Sequence, residues 1–380
     1  QALLAYQAYL FNIKNQGSRN DADIYMGLYN LASLKGSNNL KSYSGFGGTV
    51  RSIAFLPGRK EFFTSDSEGK VLRWDLENKE HSFRVIYSDN QVTDVLAVSP
   101  KGDWLACGGL NSSIRMIPVS GNDPGYELKG HSGAIKSLVF SYDGNYLYSA
   151  ALDGRVLKWD LTARTSTDLA TGEMQITSID LSPGNRFIAG INNQGNAAVW
   201  KQENGSDKFT IESPGKKIRS IRFKPDEERI AVGYDDGMIE LWDIVLKKKI
   251  AEFRAHSGEV NDIRFNRRFE QMATAGNDGT LKLWDTGDLI NPPVSFNDNE
   301  GLVVAFEFSP DGEMILAGNL GSEPKIKVRP AYADSFAADG CSYVTRNFTP
   351  DEWLAYVGRD ITYEKTCSGA DLKIRVREVR

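Results

Sequence analysis

Four Trp-Asp pairs, each closing a short apolar run, recur along the chain at nearly constant spacing: VLRWD at Trp74, VLKWD at Trp159, IELWD at Trp242 and LKLWD at Trp284. A fifth tryptophan, Trp200 in AAVW, keeps the frame without its aspartate. It stands 41 residues after Trp159 and 42 before Trp242, which is itself 42 before Trp284. A period near 40 constrains a chain more than any bulk property, because each unit is one supersecondary element that must bury its apolar face on the next copy. The 85-residue gap from Trp74 to Trp159 holds one further unit, with Ile117 in the tryptophan place. A last unit, VVAFEFSPDGEMILAGNLGSEPKIKVRP, puts Arg329 there 45 residues after Trp284, the surplus fitting a small insertion around Ser322 to Pro324. The count is seven.

Every unit has the same internal order. A strand alternating at period two (VRSIAF, IKSLVF, IRSIRF, VNDIRF) leads through a Pro/Asp/Gly turn to a second strand, a Gly-containing turn and a third strand. SPDG, SPKG and YDG are turns with a mechanism, since Asp and Gly tolerate positive φ. A weaker fourth strand links units, as in SFRVIY (Ser82 to Tyr87), YELKG (Tyr126 to Gly130) and IAEFRA (Ile250 to Ala255). A ring of such sheets must pair its last with its first or leave an open edge. Asn39 to Tyr43 align with the linking strands, so residues near Leu40 are expected to supply the outer strand of the seventh sheet. The fold class is all-β: a seven-bladed β-propeller of four-stranded blades, with a short N-terminal helix pair and a short C-terminal helical tail.

Two units carry a further pattern at identical offsets of 28, 10 and 6 before Trp: His131, Ser149, Asp153 and Trp159, then His256, Thr274, Asp278 and Trp284. On these residues the chain resembles the WD-repeat family over roughly residues 39 to 330. The resemblance implies that each set is a buried hydrogen-bonded network, which is what an Asp between strands requires if its lone pairs are to be used. His, Asp and Ser also spell a hydrolase triad. The chain has only three histidines, two are committed to these units, and His81 sits beside a linking strand, so the sets read as structural. The other units depart from the pattern: Phe46, Thr64 and Glu68 in the first, Gly172, Gly190 and Gln194 in the fourth, Pro214, Val232 and Asp236 in the fifth. Those blades are expected to rely on apolar packing.

Flanking the repeats, residues 1–38 form an N-terminal helical segment and residues 331–380 a tail. Ala2 to Ile13 place Leu3, Tyr6 and Leu10 on one face. Asp21 is an N-cap for a second helix, with Tyr25, Leu28, Leu31 and Leu34 at spacing three and Gly36 as its stop. Their apolar stripes are expected to cover the propeller rim rather than bind a partner. Thr349, Pro350, Asp351 and Glu352 open a short helix carrying Trp353, Leu354, Tyr356 and Val357. These ends look like those of propellers in large bacterial WD-repeat proteins, where a signalling NTPase or caspase-like module precedes the propeller. The start at Gln1, without Met, basic n-region or cleavage site, reads as a fragment of a longer chain.

With 45 basic and 50 acidic residues the net charge is −5, which gives no field to attract nucleic acid. The longest basic runs are short: Lys247 to Lys249, which sits just past a strand end and reads as solvated, and Lys216-Lys217 with Arg219 and Arg222. No stretch of about 18 apolar residues exists to span a bilayer. Three cysteines are too few for a disulfide framework or a CxxC metal site. Cys107 reads as core, and Cys341 and Cys367 are left open between a disulfide and two thiols. The expected compartment is cytoplasmic, with a periplasmic or otherwise exported location as the alternative, and the piece is expected to be monomeric.

The resemblance also implies where function sits: on the face at the entrance of each innermost strand, at offsets 25, 23 and 7 from Trp. Those positions are Thr49, Arg51 and Ser67; Ala134, Lys136 and Leu152; Gln175, Thr177 and Asn193; Lys217, Arg219 and Asp235; and Glu259, Asn261 and Asn277. Arg51, Lys136, Lys217 and Arg219 against Asp235 and Glu259 make this ring net positive, so it suits an acidic peptide or loop. No GxSxG, HExxH or P-loop pattern appears, and Asn261, Asp262 and Asp94 form no repeated ligand motif. The expectation is a protein-binding scaffold or sensor without catalysis, cofactor or metal. The alternatives are a structural, autoinhibitory domain restraining an effector and, further off, a metal-assisted propeller hydrolase or lactonase.

Overall fold

The computed structural model describes residues 1–367 except 79–81, 90, 122–123, 172–174, 203–207, 269 and 322; His81, Gly172, Ser322 and the end of the tail from 368 lie outside the described residues. Among the described residues, 28 strands form seven four-stranded antiparallel sheets. Six of these blades are each continuous in sequence, covering 50–88, 93–129, 135–171, 176–211, 218–254 and 260–296. The seventh combines three strands from 302–330 with Lys41–Tyr43, in the register Lys41↔Val328, Ser42↔Lys327 and Tyr43↔Ile326. The ring is therefore closed by the N-terminal strand. Tyr43 is fully buried there, its ring 5.4 Å from those of Phe62 and Trp74 in blade 1, so the closing strand also joins the seventh blade to the first.

The first strands of adjacent blades touch around the ring and so line a central channel, with apolar clusters filling the wedges between blades. Each first strand carries one surplus residue. The register slips between Val50 and Ser52, Thr93 and Val95, Ile135 and Ser137, Ile176 and Ser178, Ile218 and Ser220, Val260 and Asp262, and Val303 and Ala305. These seven β-bulges re-aim one side chain per blade at the same level of the ring. The bulged residues are Arg51, Asp94, Lys136, Thr177, Arg219, Asn261 and Val304.

Helix α1 (Ala2–Lys14) and helix α2 (Ala22–Lys35) pack outside blades 6 and 7. The Asp21 side chain caps α2 at Ile24 N, and Gly36 ends it at φ 67°. The buried face of α2 is Tyr25, Leu28, Tyr29 and Ala32, with Leu31 at its edge, while Leu34 is 82% exposed. A spacing of three drifts off a helix that turns every 3.6 residues, so the expected stripe fails at its fourth member. In α1 the side packed on this cluster is Ala5, Tyr6 and Tyr9 around a buried Gln7, with Leu3 and Leu10 half-buried. Arg329 occupies the tryptophan place of blade 7 opposite Ile315 and is almost wholly buried. It donates to Asp298 (2.8 Å), Asn299 (2.9 Å) and the Tyr29 hydroxyl (3.3 Å), and lies over the Phe296 ring. A charged side chain thus replaces the indole with the Asp298 carboxylate and Asn299 as its nearer partners and the α2 hydroxyl as a third.

The tail folds back on α1. Helix α3 (Asp334–Ala337) and helix α4 (Gly340–Tyr343), neither of which the sequence reading anticipated, precede helix α5 (Pro350–Tyr356), which Thr349 and Glu352 open with a capping box. Gln7 donates to Glu364 and accepts from Thr366, and Trp353 meets Phe11 edge-on. Cys341 and Cys367 are joined by a disulfide, while Cys107 is a buried thiol in blade 2.

Candidate interaction face and the frame that positions it

In blade 3 the Trp159 indole donates to Ser149 Oγ (2.8 Å), Ser149 lies 2.7 Å from His131 Nε2, and His131 Nδ1 lies 2.9 Å from Asp153 Oδ2. Blade 6 repeats the chain: Trp284 to Thr274 (2.9 Å), Thr274 to His256 Nε2 (2.8 Å), and His256 Nδ1 to Asp278 Oδ1 (3.0 Å). The chain of partners suits one tautomer. The indole N–H donates to the hydroxyl, and in the neutral imidazole the hydroxyl donates in turn to a bare Nε2 while Nδ1–H donates to the carboxylate. Ser149 and Thr274 are fully buried, so neither hydroxyl can meet a substrate. The residues spell a triad; the packing makes a strut between the top turn of the blade and its third strand.

Burial lowers the pKa of His131 and His256 against the pull of their carboxylates. Burial would raise the Asp278 carboxyl, but Thr280, His256 and the Ser257 N–H bring it down to about 2. Asp153 is lowered in the same way by the Ser132 and Arg155 N–H groups and His131. Both signs point the same way on acidification. Below the ordinary imidazole value of about 6.5 the unfolded chain takes up protons that the folded histidines refuse, and nearer pH 4 the same holds for the carboxylates. Stability is thus complete above about pH 6.5 and falls as pH drops through that value. We expect the melting temperature to decline from pH 7.5 to 5, and a His131→Asn/His256→Asn double variant to flatten that decline; an equally steep decline in the variant would assign it to other groups.

The degenerate blades keep more hydrogen bonding than apolar packing alone would require. Trp74 still donates to Thr64 (2.9 Å) with Phe46 against its face, and Trp242 donates to Glu240 (2.9 Å), which also accepts from Tyr234. An indole N–H inside a blade needs an acceptor, and a neighbouring strand residue provides one when the usual Ser/Thr is missing. Blade 4 follows the expectation, with Gly190 lying directly under the Trp200 ring.

The positions counted back from tryptophan do meet. The residue at offset 7 donates its N–H to the carbonyl at offset 25 in Ser67–Thr49, Leu152–Ala134, Asn193–Gln175, Asp235–Lys217 and Asn277–Glu259, at 2.7–3.0 Å. Offset 23 is the bulged residue in each of these blades. The same count from Ile117 gives Val92, Asp94 and Leu110, with Leu110 N on Val92 O. The sequence reading had no tryptophan to count from in blade 2, and Asp94 changes the electrostatics of the ring. It accepts from Arg51 Nη2 at 2.7 Å and from Lys136 Nζ at 2.8 Å, while Arg219 pairs with Glu259. Three of the four cations read as a positive ring are therefore ion-paired, Arg51 and Lys136 sharing one carboxylate, while Lys217 of blade 5 stands beside Asp235, which accepts its N–H (3.0 Å). Asn277 donates to Glu259 (3.0 Å), and Asn261 holds the bulge of blade 6.

Three residues below each bulge the channel wall divides. Ala54, Ala97 and Val139 face it from blades 1 to 3. Asp180, Arg222, Arg264 and Glu307 face it from blades 4 to 7; Arg222 and Arg264 both pair with Asp262 and Arg264 with Glu307, at 2.7–3.2 Å, while Asp180 accepts from the Phe223 N–H (2.7 Å). At the far end Arg267 of blade 6 stacks on Tyr142 of blade 3, 5.1 Å from guanidinium to ring centre. Those blades are not neighbours, so the contact spans the axis at the mouth opposite the bulges. Tyr142 and Arg267 stand where five other blades have the turn proline.

Seven four-stranded blades, Trp-Asp strand ends and two full His–Ser/Thr–Asp–Trp networks define a seven-bladed β-propeller of the WD-repeat type. Comparison with known proteins agrees at that level. Residues 81–117 and 122–160 match the WD domain, G-beta repeat, and residues 179–268 match the anaphase-promoting complex subunit 4 WD40 domain. Relatives include a guanine nucleotide-binding protein subunit beta of Solanum tuberosum (26% identity, 53% of this chain and 57% of that protein) and one of Arabidopsis thaliana (24%, 57% and 61%). Transcription initiation factor TFIID subunit 5 of Caenorhabditis elegans is 25% identical over 56% of this chain and 33% of its own. The matched region spans less than two thirds of these relatives' length. No helix among the described residues is long and apolar enough to cross a membrane.

Proposed function

We propose that this chain is a non-catalytic binding module that holds a protein or peptide on the face carrying the seven bulges. The observation that supports it most is the repetition of one bulge per blade at one level. Seven strands each spend a ladder position to aim a side chain at a common mouth, and these side chains differ in chemistry from blade to blade as a recognition surface requires. A scaffold or sensor role within a larger bacterial signalling protein fits the likeness of its terminal helices. The Cys341–Cys367 bond favours an oxidising compartment over the cytoplasm, where thiols are kept reduced. Peptide mapping of protein taken from its host without reductant checks that point: free thiols at both positions would return the assignment to the cytoplasm.

The test of the face is positional. A photo-crosslinking residue at Ser67 or Asn277, both exposed on the bulge face, should give a discrete adduct in the native host, whereas one at Lys101 or Glu228 on the opposite turns should not. Equal labelling from both faces would reject the assignment. Reversing Arg51 and Arg219 to Glu should abolish the adduct, and Arg51→Gln/Arg219→Gln should weaken it with a smaller loss of melting temperature, since reversal sets a second carboxylate beside Asp94 and beside Glu259.

A further inference from the structure

We infer that the channel mouth over blades 1 to 3 is a binding site for one carboxylate of an acidic peptide segment that carries an apolar side chain beside its Asp or Glu. The inference rests on the bulge face being the binding face and adds the class of partner. On three consecutive bulges Arg51, Asp94 and Lys136 form a chain of alternating charge with only one anion in it. Arg51 reaches Asp94 Oδ1 through Nη2 (2.7 Å) and Nε (3.1 Å), and Lys136 reaches Oδ2 (2.8 Å). The bulged neighbours at either end, Val304 and Thr177, are uncharged, so the ring itself does not neutralise the surplus cation. The opposite arc is different, because there Arg219 has Glu259, Arg222 has Asp262, and Lys217 is matched in charge by Asp235, which accepts its N–H (3.0 Å).

The cations are also held for a second anion. Asp94 is nearly buried between them, and their hydrogen bonds keep its carboxyl below the ordinary value despite that burial, so the anchor stays ionised. Arg51 uses two of the five guanidinium N–H groups and Lys136 one of three ammonium protons, which leaves both with donors for a ligand. Because both heads are tied to a single carboxylate, a second carboxylate can bridge them with little further ordering of long side chains, which is the main entropic cost of such contacts. One surplus charge suits a single carboxylate and is poorly matched to a polyphosphate backbone.

The apolar half of the preference comes from the rim. Around these cations the top-turn positions are Leu110, 54% exposed, and Leu152, whereas in blades 4 to 6 they are Asn193, Asp235 and Asn277. Leu110 is tied by its N–H to Val92, two residues before Asp94, so the exposed leucine and the charge chain share one strand entrance. A segment laid across blades 1 to 3 therefore meets two cations and two leucines together.

The experiment is selection of random twelve-residue peptides, displayed on phage, against the whole purified chain. The expected enrichment is Asp or Glu next to Leu, Ile or Phe. A synthetic copy of a selected peptide should lose about tenfold in affinity on Arg51→Gln or Lys136→Gln, and change less than twofold on Arg219→Gln. Peptides that are blocked by a crosslinked adduct at Ser67 yet contain no carboxylate would overturn this inference and leave the binding face standing. Acidic peptides weakened equally by Arg219→Gln would overturn the placement on blades 1 to 3. Selected peptides that no substitution on the bulge face affects would overturn both readings, and a selection without enrichment would overturn this one.

Discussion

Asp278→Ala is expected to lower the stability of the propeller by about 1–3 kcal/mol, and Asp153→Ala by a similar amount. The carboxylate of Asp278 accepts from the Ser257 N–H (3.1 Å), the Thr280 N–H (3.0 Å), the Thr280 hydroxyl (2.7 Å) and His256 Nδ1 (3.0 Å). Removing it strands several donors at once and leaves the buried His256 Nδ1–H with only the Thr280 hydroxyl (3.1 Å). Asp278→Asn keeps one acceptor oxygen but presents an amide toward groups that are themselves donors, so it should lie between alanine and wild type. Asp236 at the same offset in blade 5 accepts from Met238 N–H and pairs with Lys216, with no histidine above it, and Asp236→Ala should cost less than either. The measurement is the urea midpoint at unchanged slope. Midpoints for Asp153→Ala and Asp278→Ala equal to wild type would show that the networks do not contribute to stability.

Tyr43→Ala should cost about 3–5 kcal/mol, as expected for deleting a wholly buried aromatic ring. The larger part of the effect is topological. Tyr43 is the one aromatic on the closing strand, wedged against Phe62 and Trp74 of the first blade while its backbone pairs with Ile326 of the seventh. Loosening it frees the strand that joins the two ends of the ring. Removal of residues 1–43 goes further, because it bares the edge of Ile326–Pro330 and takes Tyr29 from the buried Arg329 guanidinium. An exposed edge and a half-partnered buried charge both favour association of chains. The truncated protein is expected to elute as aggregate in size-exclusion chromatography, and a soluble monomer with the wild-type melting temperature would show that closure by this strand is dispensable.

Much of this architecture is legible because a repeat tests each reading several times over. Trp74, Trp159, Trp200, Trp242 and Trp284 set a frame, and offsets counted from them place the network residues and the bulge face without any knowledge of contacts. Closure by residues near Leu40 follows from the same logic, since the linking strands leave one partner owing. The reading failed where the marker was missing or the partner was remote. Blade 2 has Ile117 in place of Trp, so Asp94 was seen as a channel carboxylate and not as the counter-ion of Arg51 and Lys136. Helix α2 was given Leu34 in place of Tyr29 because leucine spacing looked more regular than the surface it had to match.

What the sequence determined by itself is the period, and through it seven blades, their strand order, the two His–Asp struts and the face on which the loops converge. These are local or periodic properties, decided within about forty residues of chain. What only the tertiary structure decided is which charges cancel: Arg51 and Lys136 find Asp94 across blade boundaries 43 and 42 residues away, and Arg267 finds Tyr142 across the axis. Arg329 could be assigned to the tryptophan place by counting, but counting does not supply its partners there, Asp298, Asn299 and, 300 residues earlier on a helix outside the repeat, Tyr29. Side-chain charge acts through space and falls off with distance in three dimensions, so its balance is fixed only when the ring closes.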